Sequence, residues 1–108
     1  MVLYMVQFAY TSEAWTAFTK HPEDRTAAVQ SLAKKLGCRV EALYYSFGEY
    51  DGFLILEAPD ETTVTAFVLA ANAPGHLRAT KTTVLMRAGA VVESMKKAGG
   101  MEYKGPKK

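Results

Sequence analysis

The segment Val2 to Tyr10 alternates two sets of side chains. Val2, Tyr4, Val6, Phe8 and Tyr10 fall on one face, and Leu3, Met5, Gln7 and Ala9 on the other, with the two-residue period of a β-strand. Both faces are largely apolar. Such a strand has to be covered on both sides, by helices on one and by something else on the other. A second constraint comes from Tyr44 to Glu57. Strand-like runs over Val40–Phe47 and Phe53–Ala58 flank Gly48-Glu49-Tyr50-Asp51-Gly52, where two glycines and an Asp-Gly pair supply the positive-φ positions expected of a tight hairpin.

The remaining pattern falls around these strands. Ser12 is positioned to cap a short helix from Glu13 carrying Trp15 and Phe18, and His21-Pro22 interrupts it, because a residue before proline is pushed away from the helical region. Pro22 suits the start of a second helix with Glu23, Asp24 and Arg25 in its first turn. Its stripe is Ala28, Val29, Leu32, Ala33 and Leu36, and Gly37 is the stop. Asp60 is the expected N-cap of a third helix bearing Val64, Phe67, Val68 and Ala71. Leu77–Met86 is a more polar strand of edge character, followed by a helix from Arg87 to Ala98.

Strand, helix, strand, strand, helix, strand and a terminal helix make the α+β, split βαβ order of a ferredoxin-like fold. Its four-stranded antiparallel sheet carries helices on one face. A single domain over residues 1–98 is expected, with a basic tail over 99–108. The other sheet face would expose more apolar surface than soluble monomers carry, which points to a homodimer or larger assembly.

With 108 residues and a formal charge of +2 concentrated in the terminal lysines, the body is near neutral, so neither nucleic acid nor a membrane surface is an expected partner. One cysteine, Cys38, suits a reducing cytoplasm. With His21 and His76 it lacks the paired spacing of a zinc site. No glycine-rich phosphate loop, nucleotide fingerprint or nucleophile elbow occurs, and no cofactor is implied.

The candidate ligand residues are Tyr10, Trp15, His21, Arg25, Glu49, Tyr50 and Asp51. The two carboxylates flanking Tyr50 either converge on a ligand, or serve the turn itself, with Asp51 bonding backbone amides, Tyr50 packing on a neighbouring subunit and Glu49 facing solvent. Phe8, Tyr10, Trp15 and Phe18 either line an apolar pocket, with Lys20, Arg25 or Arg78 as counter-charge to an anion, or are core. Two functions remain open: a small-molecule binding module or cofactor-free enzyme, and an assembly or regulatory protein built on the bare sheet face.

Gly48-Glu49-Tyr50-Asp51, the opening strand ending near Phe8 and Tyr10, the helix from Pro22 to Gly37 and Leu56-Glu57-Ala58-Pro59-Asp60 are the residues that carry a family likeness. On these residues, from about Val2 to Met86, the chain resembles the GYD domain family, small bacterial and archaeal proteins named for such a turn. The resemblance implies a ferredoxin-like domain similar to the dimeric α/β barrels, with no established general activity.

Overall fold

The computed structural model describes residues 1–107. Its elements are β1 (Val2–Tyr10), α1 (Ser12–Lys20), α2 (Thr26–Lys35), β2 (Arg39–Tyr45), β3 (Gly52–Ala58), α3 (Glu61–Asn72), β4 (Leu77–Leu85) and α4 (Ala88–Gly99). The strands form one antiparallel sheet in the order β2-β3-β1-β4. This is the expected ferredoxin-like arrangement, and β4 is at an edge as its polarity indicates.

Register assigns the two faces. Tyr4, Val6 and Phe8 of β1 pair with Leu56, Leu54 and Gly52 of β3, and all six are buried under the helices. Leu3, Met5 and Gln7 pair with Glu57, Ile55 and Phe53 on the opposite face, which no helix among the described residues covers and where each remains partly exposed. Tyr44 of β2 pairs with Phe53 on that open face and is 61% exposed. The open face of the sheet is therefore lined by apolar side chains over most of its width.

The helix boundaries show where local rules won. α2 ends in a Schellman motif: the Cys38 amide donates to the Ala33 carbonyl at 2.8 Å and the Gly37 amide to Lys34 at 3.1 Å, with Gly37 in the left-handed region at φ +73°. Asp60 caps α3 by accepting from the Thr63 amide at 2.9 Å. Two starts are shifted. Thr11, not Ser12, caps α1, because its Oγ1 lies 3.1 Å from the Ala14 amide. α2 begins at Thr26, not at Pro22, and Asp24 acts just outside it by accepting from the Thr26 amide at 2.9 Å. Arg25 is the residue before the first turn rather than within it.

The β2–β3 connection also differs from a tight glycine hairpin. Residues 46–51 separate the strands, and the positive φ falls on Phe47 at +53°, while neither Gly48 nor Gly52 is left-handed. Gly52 is required by space instead. A Cβ there would stand 2.6 Å from Phe8 Cζ and 2.6 Å from the Tyr44 carbonyl oxygen, and the backbone oxygen cannot yield without breaking the β2–β3 ladder. We expect Gly52→Ala to destabilise the protein by about 1 to 3 kcal/mol, the usual range for overpacking, read as a lower urea midpoint; an unchanged midpoint would show that Phe8 and the hairpin move aside freely.

Candidate functional site

The helices pack chiefly on the sheet. α1 packs on β1, α2 on β2, and α3 on β3 and β4, so the core splits into two buried clusters. One is built on Tyr4, Val6, Leu54, Leu56, Val64 and Phe67, and the other on Phe8, Tyr10 and Ala14, with Leu43 touching both. Between the clusters lies a cavity of about 430 Å³. Its floor is Val6, Phe8, Leu43, Leu54 and Thr80 of the sheet. Its walls take alanines from all three helices, Ala14 and Ala17 of α1, Ala28 of α2, and Ala70 and Ala71 of α3, beside the larger Phe18, Val29, Leu32, Phe67 and Val68. Small side chains on three facing helices leave space that larger ones would fill.

The polar groups of the cavity come from separated parts of the chain. Tyr10 reaches it from the end of β1, and His21, Glu23 and Arg25 from the α1–α2 connection, while His76 follows the turn after α3. His21, Glu23 and His76 are exposed at the mouth, and Arg25 is half-buried. The Arg25 guanidinium lies 3.3 Å from Glu23 Oε1 and 6.0 Å from the Phe18 ring centroid. Glu23 thus neutralises Arg25, and the aromatic face of Phe18 adds a weaker attraction. Burial pushes the Tyr10 phenol well above the ordinary tyrosine value, and the neighbouring Tyr45 hydroxyl adds to the shift while Arg25 opposes it. Tyr10 therefore holds its proton at neutral pH and can donate a hydrogen bond.

Of the seven candidate residues, Tyr10, His21 and Arg25 line this cavity, and Trp15, Glu49, Tyr50 and Asp51 do not. Trp15 lines a smaller adjoining groove of about 230 Å³ with Phe18, Pro22, Glu23, Tyr45 and Phe47. Lys20 and Arg78 are also absent from the lining of both. The sequence reading missed Leu43, Phe67 and Thr80 as lining residues, since strand and helix periodicity marks a buried face without showing where that face is left unfilled.

The loop residues are organised around Asp51. Its Oδ2 accepts from the Tyr10 amide at 2.8 Å and from the Trp15 indole Nε1 at 3.0 Å. Its own amide donates to the Phe8 carbonyl at 2.8 Å, and its carbonyl accepts from the Ser46 amide at 2.8 Å. One residue thereby joins the end of β1, α1 and the β2–β3 loop. Glu49 is exposed and Tyr50 is half-buried. The Tyr50 carbonyl accepts from the Gly48 amide at 2.9 Å and from Ser46 Oγ at 3.3 Å.

The GYD domain description matches residues 4–100. The chain belongs to the GYD domain family. The match takes in every strand of the sheet and continues through α4. No curated protein matches this GYD domain in sequence. Among solved structures, MtbAldR (Rv2779c) is similar with a TM-score of 0.59 at 20% identity, over 80% of this chain and 53% of that one. TTHA0845 from Thermus thermophilus is similar with a TM-score of 0.53 at 18% identity, over 82% of this chain and 96% of that one. The GYD domain thus spans about half of AldR and nearly all of the Thermus protein. At these identities the likeness concerns the fold.

Two measurements check the geometry of this GYD domain. Asp51→Ala leaves the Tyr10 amide and the Trp15 indole without their acceptor, and we expect a loss of about 2 to 4 kcal/mol, with Asp51→Asn losing less because a carbonyl oxygen remains; equal urea midpoints for all three proteins would refute the clamp. The second is an alkaline titration followed by tyrosinate absorbance. Because the folded-state value of Tyr10 is raised, its stabilising contribution is complete below about pH 10, the unfolded tyrosine value, and is lost as pH rises through the folded value. One phenol should therefore lag behind the other tyrosines and ionise only at higher pH, and Tyr10→Phe should remove that lagging step.

Proposed function

We propose that this protein binds a small organic molecule with an apolar body and an acidic head in the cavity between sheet and helices. The observation that carries this reading is the cavity itself. A volume of about 430 Å³ falls within the range of small-molecule sites, and its few polar groups converge from different elements onto an apolar chamber, as such sites require. The apolar body lies over Val6, Phe8, Leu54 and Phe67. A carboxylate at the mouth meets Arg25, which exchanges Glu23 for the ligand, with His21 and His76 alongside. The protonated Tyr10 donates to an oxygen of the ligand deeper in the chamber. Asp51 acts indirectly in this reading, by holding Tyr10 and Trp15 in place, and Glu49 and Tyr50 belong to the loop that carries it.

A second function is favoured by a separate observation, the apolar open face of the sheet. Leu3, Met5, Phe53 and Ile55 lie side by side there with no covering element among the described residues. Two copies packed sheet to sheet would remove that surface from water. Self-association and ligand binding are compatible, since the cavity opens on the helix side.

Binding is tested by thermal shift and calorimetry with phenylacetate, 3-phenylpropionate and hexanoate, each beside its uncharged amide. The carboxylates should raise Tm, by about 10 °C once they exceed the dissociation constant a hundredfold, and should bind more tightly than the amides. Arg25→Gln should erase the difference between acid and amide, and Ala71→Phe, which occupies the cavity, should abolish binding of both. No shift with any of these compounds, or undiminished binding to Ala71→Phe, would refute the assignment.

A further inference from the structure

The groove beside the chamber has a different chemistry. Its volume of about 230 Å³ is lined by Trp15, Phe18, Pro22, Tyr45 and Phe47, and Glu23 is the charged residue among its lining. The rings form a connected set. Trp15 lies 5.5 Å from Phe47 and 6.1 Å from both Tyr45 and Phe18 between centroids, and Tyr45 and Phe47 stack at 5.9 Å with their planes 17° apart. The indole Nε1 of Trp15 donates to Asp51 Oδ2 at 3.0 Å. With that N–H engaged, the indole is held in place and offers the groove a ring without a free hydrogen bond. Phe47 carries two costs. Its φ of +53° lies in a region that bulky side chains seldom enter, and the residue is 68% exposed. A glycine would take that backbone angle freely. Neither the β2–β3 ladder nor either core cluster includes Phe47; its ring contributes a wall of the groove.

We propose that this groove is a binding site for a methylated ammonium cation, of the kind carried by a trimethylammonium head group. The site goes beyond the acid-binding chamber and does not depend on it. Charge selects the occupant. Aromatic faces carry the negative part of the ring quadrupole, and a cation within about 6 Å of a ring centroid is attracted by it. Four rings and a carboxylate line the groove. The same chemistry already holds a cation of this chain: the Arg25 guanidinium lies 6.0 Å from the Phe18 centroid and 3.3 Å from Glu23 Oε1. Arg25 lines the chamber and not the groove, and no cation among the described residues lies over Trp15, Tyr45 or Phe47. Because Arg25 offsets part of the Glu23 charge, the rings supply most of the attraction. Methylation follows from the lining as well. A bare ammonium brings three N–H donors to walls whose side-chain acceptors are Glu23 and the Tyr45 hydroxyl, which is turned toward Tyr10, so it would leave water without adequate replacement. A methylated ammonium has fewer donors to satisfy and presents methyl groups to the rings.

The test uses the fluorescence of Trp15, the single tryptophan of the chain, in the full-length protein. Choline is titrated beside 3,3-dimethylbutan-1-ol, which has the same shape without the charge, and beside ammonium chloride, all at constant ionic strength. Choline should change the emission saturably and bind at least about 10-fold more tightly than the alcohol, and ammonium chloride should give no saturable change. Phe47→Gly, which suits the backbone angle and removes the ring, should weaken choline at least about 5-fold. Phe47→Leu keeps an apolar side chain but no aromatic face, and should narrow the choline-to-alcohol ratio to about 3-fold or less. Equal binding of choline and the alcohol would make the groove a neutral apolar site and overturn the proposal. Choline binding unchanged in both Phe47 variants, a response to ammonium as strong as to choline, or no saturable response to choline would each overturn it too. A saturable shift with a proline decapeptide and none with choline would assign the rings to an extended peptide instead.

Discussion

The structure depends on a carboxylate in the right place. At the start of β3, strand pairing with β1 stops at Phe8 and Gly52, yet β1 continues to Tyr10 and the chain must turn at once into α1. The Asp51 carboxylate takes the Tyr10 amide there, and the same oxygen takes the Trp15 indole. Both donors would otherwise be partly buried without an acceptor, a cost comparable with a sizeable fraction of a small domain's total stability. Gly52 makes this approach possible, because any side chain at that position would meet Phe8 and the Tyr44 carbonyl. The adjacent Asp and Gly thus act as a unit whose geometry differs from the left-handed turn that Asp-Gly pairs commonly build.

That junction positions the cavity. By fixing Tyr10 and α1, it sets one wall of a space whose other walls are α2 and α3, and it turns the Tyr10 ring against Trp15 at 5.2 Å and Phe18 at 5.0 Å between centroids. The three helices each pack on their own strands and turn alanines as well as larger side chains toward the chamber, so the core divides instead of closing. The family's named turn therefore bears on the cavity without lining it. Its carboxylate reaches the chamber only through the residues it holds.

Much of the fold was legible in the sequence. The two-sided apolarity of Val2–Tyr10, the stripe and Gly37 stop of α2, the Asp60 cap and the polar edge strand all correspond to features of the structure, because each follows from short-range periodicity or from the conformational needs of one residue. The shifted starts of α1 and α2 show the limit of such reading. Thr11 and Ser12 are equally good capping residues in sequence, and the choice was made by the Thr11 amide bonding to His76 at 2.9 Å across the sheet edge. The same holds for the site. Tyr10, His21 and Arg25 could be singled out as residue types, but their meeting with His76 and Thr80 depends on the crossover of β4 to the far side of β1.

Spacing and local backbone preference are enough to set the order of elements and the apolar face of each. Three features arise only once the chain is packed: a core split by a chamber, an Asp51 that serves Tyr10 and Trp15, and an α4 without a buried residue. The physical reason is that voids, clamps and uncovered surfaces belong to pairs of distant segments. A periodicity shows that a side chain must leave water, but which neighbour receives it is settled by the packing of segments far apart in the chain.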